Sequence, residues 1–175
     1  MKPPKVPESE IEILQPAEAQ GAMAALRGKS LYLIAALGLA TGMRRNEVLA
    51  LRWQDVDLEA ASLTVNLSLE YTKKHGLRFK APKTKHGRRT IALPSHIVQE
   101  LRAHWRAQQE QRMALGFGKA PADSQVLATF DGKPRRLNAV TKEWTVAMTK
   151  AKLPQVTLHS LRHTHASMLP RGWTS

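Results

Sequence analysis

Basic side chains at short helical spacings are the residues of this sequence best suited to chemistry. Arg44 lies two residues after Gly42 and opens a helical pattern, so its guanidinium and nearby backbone N–H groups could bind one anion together. His159 and Arg162 are three residues apart, which makes them neighbours on one helix face. Glu47 follows Arg44 by three residues, close enough to hold an arginine in place. These residue types predict a site that stabilises concentrated negative charge.

The charge balance indicates the class of anion. The 175 residues include 27 Lys and Arg against 14 Asp and Glu, a formal net charge of +13, and such an excess favours nucleic acid as the partner. Residues 71–94 hold eight Lys and Arg and no acidic residue, which favours a phosphate-contacting surface over a solvated lysine-rich loop. The predicted DNA contacts are Lys73, Lys74, Lys80, Lys85, Arg88 and Arg89.

The composition disfavours several other classes of function. The sequence has no cysteine, which excludes a disulfide scaffold, a thiol nucleophile and a cysteine-based zinc site. His159 and His163 could share a helix face, but no carboxylate or cysteine lies near them in sequence and Arg162 would repel a cation, so we expect no metal and no cofactor. The sequence has no apolar run long enough for a membrane helix and no secretory signal. These features fit a cytoplasmic protein.

Periodicity and turn signals predict the elements that position these side chains. Residues 1–11 are proline-rich and read as a tail or linker. Alternating apolar residues over 62–70 predict one half-buried strand. Strands at 77–80 and 88–93 are predicted to be joined by a basic turn as an antiparallel hairpin with lysines at its tip. Three helices are predicted in the first part of the chain: from Pro16 to Gly28, from Leu31 (with Ser30 as N-cap) to Ala40, and from Arg44 to Trp53. A fourth begins at Pro94 and has an apolar stripe of Ile97, Leu101 and Trp105. A fifth contains the stripe of Val140, Trp144 and Met148, and the last begins near Ser160. The expected fold class is α+β, mainly helical, with a small three-stranded antiparallel sheet.

Three segments in this order resemble one known family. They are "TGMRRNEVLALRWQDVD" (41–57), "PKTKHGRRTIALP" (82–94) and "LHSLRHTHASML" (158–169), and together they are similar to the catalytic domain of tyrosine recombinases of the phage integrase type. The resemblance spans roughly residues 12 to 172 and implies an integrase-type catalytic domain over 12–175. It also implies site-specific DNA recombination, in which a strand is cleaved and rejoined through a 3′-phosphotyrosine intermediate.

The resemblance implies roles for individual residues. Arg44 and Arg162 match the two catalytic arginines that would clamp the scissile phosphate, and bidentate geometry favours arginine there. His159 matches the histidine of the H-x-x-R box, which helps to position the phosphate and to handle protons. The general acid would be Lys83, with Lys85 as the alternative. Glu47 matches an acidic position that supports the first arginine. Positive side chains would make a metal unnecessary.

The resemblance fails at the nucleophile. The family places its tyrosine downstream of the H-x-x-R box, whereas this sequence contains only Tyr32 and Tyr71, which match no such position. Trp173 comes too early to match the family's phosphate-contacting tryptophan. We therefore expect a catalytic domain that is incomplete at its C-terminus and that binds double-stranded DNA without cleaving it alone. The resemblance also implies a tetramer on DNA for the full-length protein and a nucleoid-associated, bacterial or phage-encoded product.

Two other functions fit the same residues. A non-catalytic DNA-binding remnant of an integrase would keep the basic surface and lack the chemistry. A type IB topoisomerase has a similar active site but relaxes supercoils instead of exchanging strands. The amino-acid sequences of the first and third segments are closer to those of integrases. The DNA site, the direction of recombination and the accessory factors have no signal in the sequence.

Overall fold

The computed structural model describes residues 12–82 and 87–168. The predicted tail at 1–11, the alternative general acids Lys83 and Lys85, and Trp173 lie outside the described residues. Three helices come first in this range, five strands follow them, and three further helices come last. The helices are α1 (Pro16–Leu26), α2 (Tyr32–Thr41), α3 (Arg45–Ala50), α4 (Ser95–Ala114), α5 (Leu137–Lys150) and α6 (Ser160–Met168).

Local sequence explains where the first helices begin and end. Pro16 is the first residue of α1, where its missing N–H costs no hydrogen bond. Helix α2 is apolar on all sides because it is buried on most of them, and it ends at Gly42, whose φ is +64°. Ser30 was predicted as the N-cap of this helix, which was wrong. Leu31 occupies that position, and the Ser30 hydroxyl donates instead to Glu143 on α5 at 3.4 Å.

The sheet region contains more strands than predicted. The strands are β1 (Val56–Asp57), β2 (Ser62–Val65), β3 (Ser68–Thr72), β4 (Gly76–Lys80) and β5 (Arg89–Ala92). A three-stranded antiparallel sheet is confirmed, in the order β1-β2-β5, and β3 and β4 form a separate two-stranded antiparallel sheet. The single strand predicted over 62–70 is therefore two strands in different sheets. The predicted pairing across the basic turn was also wrong, because β4 pairs with β3 and β5 pairs with β2.

Asn66 explains the break between β2 and β3. Its side-chain amide donates to Asp55 Oδ1 at 2.8 Å, and the same carboxylate accepts two hydrogen bonds from Arg52 at 2.7 and 3.1 Å. The Asp55 side chain is only 6% exposed, so its hydrogen bonds are made in a protected environment. The chain leaves the first sheet at Asn66 and enters the second sheet as β3. The alternation of buried side chains continues across this break, since Val65 and Leu69 are both buried.

We expect Asn66→Ala to lower the free energy of unfolding by about 1.5–3 kcal/mol, the usual contribution of a hydrogen bond to a charged group. Asn138→Ala is the matched control because Asn138 is exposed on α5, where substitutions usually change stability by less than about 0.5 kcal/mol. Urea unfolding of both variants measures the difference. Equal stabilities would contradict a structural role for the Asn66 amide.

The helical core positions α2 and α6 against each other. The predicted stripes are confirmed in the main: Ile97 and Leu101 of α4 are buried, as are Val140, Trp144 and Met148 of α5, whereas Trp105 is half-buried against the core. Leu161 of α6 is buried beside Gly38 of α2, where an added Cβ would lie 3.4 Å from the leucine Cδ1. The small residue therefore allows close approach of the two helices. Within residues 12–82 and 87–168, no helix is long and apolar enough to span a bilayer.

Candidate functional site: an arginine cluster at the α2–α6 contact

The end of α2 and the body of α6 bring the first and third basic segments together. Arg162 Nη1 donates to the carbonyl of Gly42 at 2.9 Å, two residues before Arg44. His165, one turn further along α6, places Nδ1 2.6 Å from the carbonyl oxygen of Leu39. Because a carbonyl can only accept, Nδ1 must carry the hydrogen of this imidazole. Two side chains of α6 are thus fixed to backbone carbonyls at the end of α2, 120 and 126 residues earlier in the sequence.

Glu47 joins two arginines from different elements. Its Oε1 accepts from Arg44 Nη1 and from Arg89 Nη1, each at 3.2 Å. Its Oε2 accepts from the Arg44 backbone N–H at 2.9 Å and from Arg89 Nη2 at 2.8 Å. Glu47 is 6% exposed, so α3 and β5 are linked by a buried carboxylate with four donors. Burial by itself raises the pKa of Glu47, but these hydrogen bonds and the two positive charges outweigh it and hold the pKa below its ordinary value.

Arg162 and His159, the predicted catalytic residues of the third segment, lie close enough to Arg44 for its positive charge to affect their pKa values. Burial, followed by the charges of Arg44 and Arg89, lowers the pKa of Arg162. Burial also lowers the pKa of His159, with smaller contributions from His163, Arg162, Arg44 and Arg45. The His159 and His163 rings are edge to face, with centroids 5.0 Å apart. The lowered pKa favours a neutral His159 imidazole at pH 7.

A cavity opens beside the cluster. It has a volume of about 420 Å³ and reaches from α3 to α5 and to the loop before α6. Arg45 projects into this region, donating from Nη1 to Thr141 Oγ1 at 2.5 Å and from Nε to Asn46 Oδ1 at 3.0 Å. The cavity is lined by Arg44, Arg45, Asn46, Ser68, Thr141, Thr157, Leu158 and His159.

The residues predicted to contact DNA fall into two groups. Lys73 and Lys74 are exposed in the turn between β3 and β4, and Arg88 is exposed just before β5. Lys80 is instead paired with Glu70 at 3.2 Å, an acid that lies one residue before the acid-free segment. Arg89 is paired with Glu47, as described above. Lys85 lies outside the described residues.

The two tyrosines lie in other parts of the fold. The Tyr32 hydroxyl donates to Glu100 on α4 at 3.4 Å, and Tyr71 is 62% exposed on β3. Within the described ranges, neither hydroxyl has a hydrogen bond to Arg44 or Arg162. In the same ranges, no group of three or more His, Cys, Asp and Glu side chains could hold a metal ion.

Sequence reasoning missed three contributors to the site. Arg45 sits beside the predicted Arg44 and could have been noted as the second half of an arginine pair. His165 lies three residues after Arg162, and the same helical-spacing rule that paired His159 with Arg162 would have found it. No local sequence pattern marks Thr141 as a site residue, because it is connected to the site by a hydrogen bond from Arg45, 96 positions away in the sequence.

Comparison with known proteins places the sequence among recombinases. Residues 12–173 match the model of the phage integrase family. A tyrosine recombinase XerC-like protein of Caldanaerobacter subterraneus subsp. tengcongensis is 28% identical over 172 residues, covering 93% of this chain and 44% of that protein. An integrase of Streptomyces ambofaciens is 28% identical over 161 residues, covering 87% of this chain and 40% of that protein. The chain therefore spans less than half the length of these two relatives.

Solved structures share the fold at low sequence identity. The Tn1549 transposon integrase in complex with transposon right end DNA superimposes with a TM-score of 0.74 at 21% identity, covering 98% of this chain and 57% of that one. The XerA recombinase gives a TM-score of 0.70 at 20% identity, covering 99% and 55% of the two chains. The lambda integrase catalytic core gives 0.52 at 17% identity, covering 89% and 85%. The predicted α+β, mainly helical fold of an integrase catalytic domain is thereby confirmed.

Proposed function

The chain belongs to the phage integrase family, and from this premise we propose that it supplies most of the catalytic domain of a site-specific DNA recombinase. The observation that carries the proposal is the convergence of two arginines on one helix end. Arg162 is bonded to the Gly42 carbonyl, and Arg44 follows that turn and is held by Glu47. Neither guanidinium depends on DNA for its placement, so the cluster is ready to receive an anion.

The proposed chemistry is phosphoryl transfer without a metal. A tyrosine oxygen attacks the phosphorus, a 3′-phosphotyrosine bond forms, and the 5′ oxygen leaves with a proton from a general acid. Negative charge builds up on the non-bridging oxygens in the transition state, where Arg44 and Arg162 stabilise it. His159, neutral at pH 7, would donate or accept a hydrogen bond at the same phosphate. Lys83 or Lys85 is proposed as the general acid, as the sequence predicts.

The positions of Tyr32 and Tyr71 favour a second candidate for this chain alone, a DNA-binding domain without strand cleavage. Tyr32 is engaged with Glu100, and Tyr71 lies on the β3–β4 hairpin, where it lines a cavity together with Arg136 and Leu137 at the start of α5. Neither is proposed as the nucleophile. Incubation of the purified chain with a nicked duplex distinguishes the two readings, because a covalent adduct would assign the nucleophile to one of these tyrosines.

Double-stranded DNA is the proposed partner, and the β3–β4 turn is proposed as one contact surface. We expect the double substitution Lys73→Ala/Lys74→Ala to weaken duplex binding and to reduce the slope of log K against log salt by about 2, since each lost phosphate contact removes about 1. Fluorescence anisotropy over a range of salt concentrations measures this. Lys119→Ala/Lys150→Ala is the matched control, because it removes the same charge from exposed sites outside the predicted surface.

The control decides between a defined surface and general charge attraction. An equal fall in slope for both double variants would reject the β3–β4 turn as a preferred contact. Absence of duplex binding by the unaltered chain would reject DNA as the partner of these residues. Self-association on DNA, expected as a tetramer in the full-length protein, remains a prediction that ultracentrifugation of the protein–DNA complex would test.

A further inference from the structure

Arg45, like Arg162, is held by neutral oxygens and not by a carboxylate. Six arginines in the described residues are paired with carboxylates, and three of them bind the buried or half-buried acids Glu47 and Asp55. Arg45 has no carboxylate within salt-bridge distance among the described residues. Its anchors are the neutral oxygens of Thr141 and Asn46. Burial lowers the pKa of Arg45, the expected effect of placing a cation in a partly desolvated site with no negative partner.

The anchor on α5 is itself fixed in orientation. Thr141 Oγ1 donates its own hydrogen to the Leu137 carbonyl at 3.1 Å, so its lone pairs are left to accept from Arg45 Nη1. The guanidinium is therefore held on the α5 side of the cavity while its charge stays uncompensated. Such a group is oriented and charged in the absence of a ligand, and orienting it costs no further side-chain entropy on binding.

The cavity around Arg45 contains several hydroxyl and amide groups and no acidic side chain among the described residues that line it. Hydroxyl groups come from Ser68, Thr141 and Thr157, and an amide comes from Asn46. Arg44 and His159 form its boundary with the arginine cluster, and the pKa of His159 is lowered by Arg44 and Arg45 together. Positive potential therefore extends from the cluster into the cavity.

Arg44 and Arg45 are consecutive residues that point to different anchors. Their Cα atoms are about 3.8 Å apart across a trans peptide, yet Arg44 binds Glu47 on one side and Arg45 binds Thr141 on the other. Two guanidiniums fixed in this way are suited to two neighbouring anions. Consecutive phosphates along one DNA strand are two such anions.

We propose that the cavity at Arg45 is a second phosphate subsite, which binds the phosphodiester adjacent to the one held by Arg44 and Arg162. This inference rests on the proposed function, because it assumes that the first phosphate belongs to DNA. The subsite fixes the path of the strand through the cluster. Arg45 is the ligand of the second phosphate, and Thr141 is a positioning residue that acts through Arg45.

The test compares Arg45→Ala, Thr141→Val and Arg102→Ala in duplex binding. We expect Arg45→Ala to reduce the salt slope by about 1 and to raise Kd about tenfold, the effect of one lost charge-assisted contact. Thr141→Val keeps every charge and nearly the same volume, so we expect a Kd raised severalfold with an unchanged slope. Arg102→Ala is the control, because this partly exposed arginine is paired with Glu59 outside the cluster.

Several results would overturn the subsite. One is a Thr141→Val variant that binds like the unaltered protein, since a solvated Arg45 would not need the threonine. Another is an Arg45→Ala loss no larger than that of Arg102→Ala. A loss that differs between A·T-only and G·C-only duplexes, with an unchanged salt slope, would assign the cavity to a nucleobase. Urea unfolding of each variant separates these results from loss of folding.

A measurement without DNA separates this inference from the proposed function. Titration of the chain with inorganic phosphate, followed by NMR at the Arg45 Nε–H resonance, is expected to shift that resonance in the unaltered chain and in Arg162→Ala. The shift is expected to be smaller in Thr141→Val. If duplex DNA is not bound but the phosphate shift is present, the subsite stands and DNA is the wrong ligand. If the shift is absent, the subsite is wrong even where DNA binds.

Discussion

Replacement of Glu47 by glutamine is expected to lower the free energy of unfolding by about 2–4 kcal/mol. Breaking a buried ion pair by removing one partner typically costs about 3–5 kcal/mol, and the lower range applies here because the Arg44 side chain is 56% exposed and part of its charge is solvated. The amide offers one acceptor oxygen to four donors, so Arg44 and Arg89 repel each other with less compensation. Chemical denaturation of the two proteins at pH 7 measures the loss.

Glu70→Gln is the matched control for this substitution. Glu70 also accepts from two cations, Arg78 and Lys80, at 2.8 and 3.2 Å, but on the exposed β3–β4 hairpin. Surface ion pairs of this kind contribute little to stability because both charges stay solvated, so we expect a small effect. Similar losses for the two variants would contradict the view that burial of Glu47 makes its contacts important.

The same carboxylate predicts a pH dependence with a definite sign. The folded-state pKa of Glu47 is below its ordinary value of 4.5, so the unfolded chain binds the proton more tightly than the folded one. Ionised Glu47 therefore adds stability at pH values above 4.5, and this stability is lost as the pH falls through the folded-state pKa. We expect Glu47→Gln to lose less stability than the unaltered protein between pH 6 and pH 3. A parallel decline in both would refute the assignment.

Gly42→Ala is expected to lower the free energy of unfolding by about 2–4 kcal/mol. The left-handed conformation at φ +64° costs about 1–2 kcal/mol for a residue with a Cβ. The added Cβ would also lie 2.7 Å from His165 Cδ2, and overpacking of this kind costs about 1–3 kcal/mol. Movement of the turn to relieve this contact would displace the Gly42 carbonyl that accepts from Arg162, so we also expect weaker duplex binding.

Two further variants separate the two costs at Gly42. Gly116 has φ +77° and nothing within 4 Å of an added Cβ, so Gly116→Ala carries the conformational cost alone. His165→Ala removes the side chain that the new methyl group would meet. We expect Gly42→Ala in the His165→Ala background to cost no more than Gly116→Ala does. An unchanged cost in that background would show that the clash is not with His165.

Local periodicity was sufficient for α4 and α5, because a helix that packs against one core carries its stripe in its own sequence. The stripe of Val140, Trp144 and Met148 predicted α5, and all three side chains are buried. The helix predicted from Arg44 to Trp53 was too long, since α3 ends at Ala50 and Arg52 forms a β-bridge with Gln125. The strand prediction over 62–70 failed for a related reason. Alternation reports which side chains are buried, and it is satisfied equally by one strand or by two strands in different sheets. The break at Asn66 depends on Asp55, eleven residues away.

The candidate site shows the same division between local and long-range information. Arg44, Glu47, His159 and Arg162 were identified from residue type and helical spacing, and the structure brings the arginines together at the α2–α6 contact. The pairing of Arg89 with Glu47 and the anchoring of Arg45 on Thr141 were not predicted. Those partners are 42 and 96 residues apart, beyond the reach of any spacing rule.

The sequence by itself determined the family, the sign of the charge and the residue types that can hold a phosphate. These follow from composition and from short motifs, which folding does not change. The tertiary structure alone decided which arginines are neutralised and which remain available. Arg89 lies in the basic segment, but its charge is paired with the buried carboxylate of Glu47. Arg45 binds only neutral oxygens, so its positive charge has no negative partner among the described residues. The reason is that Coulomb energy depends on distance and burial, and both are set by the packing of elements far apart in the chain.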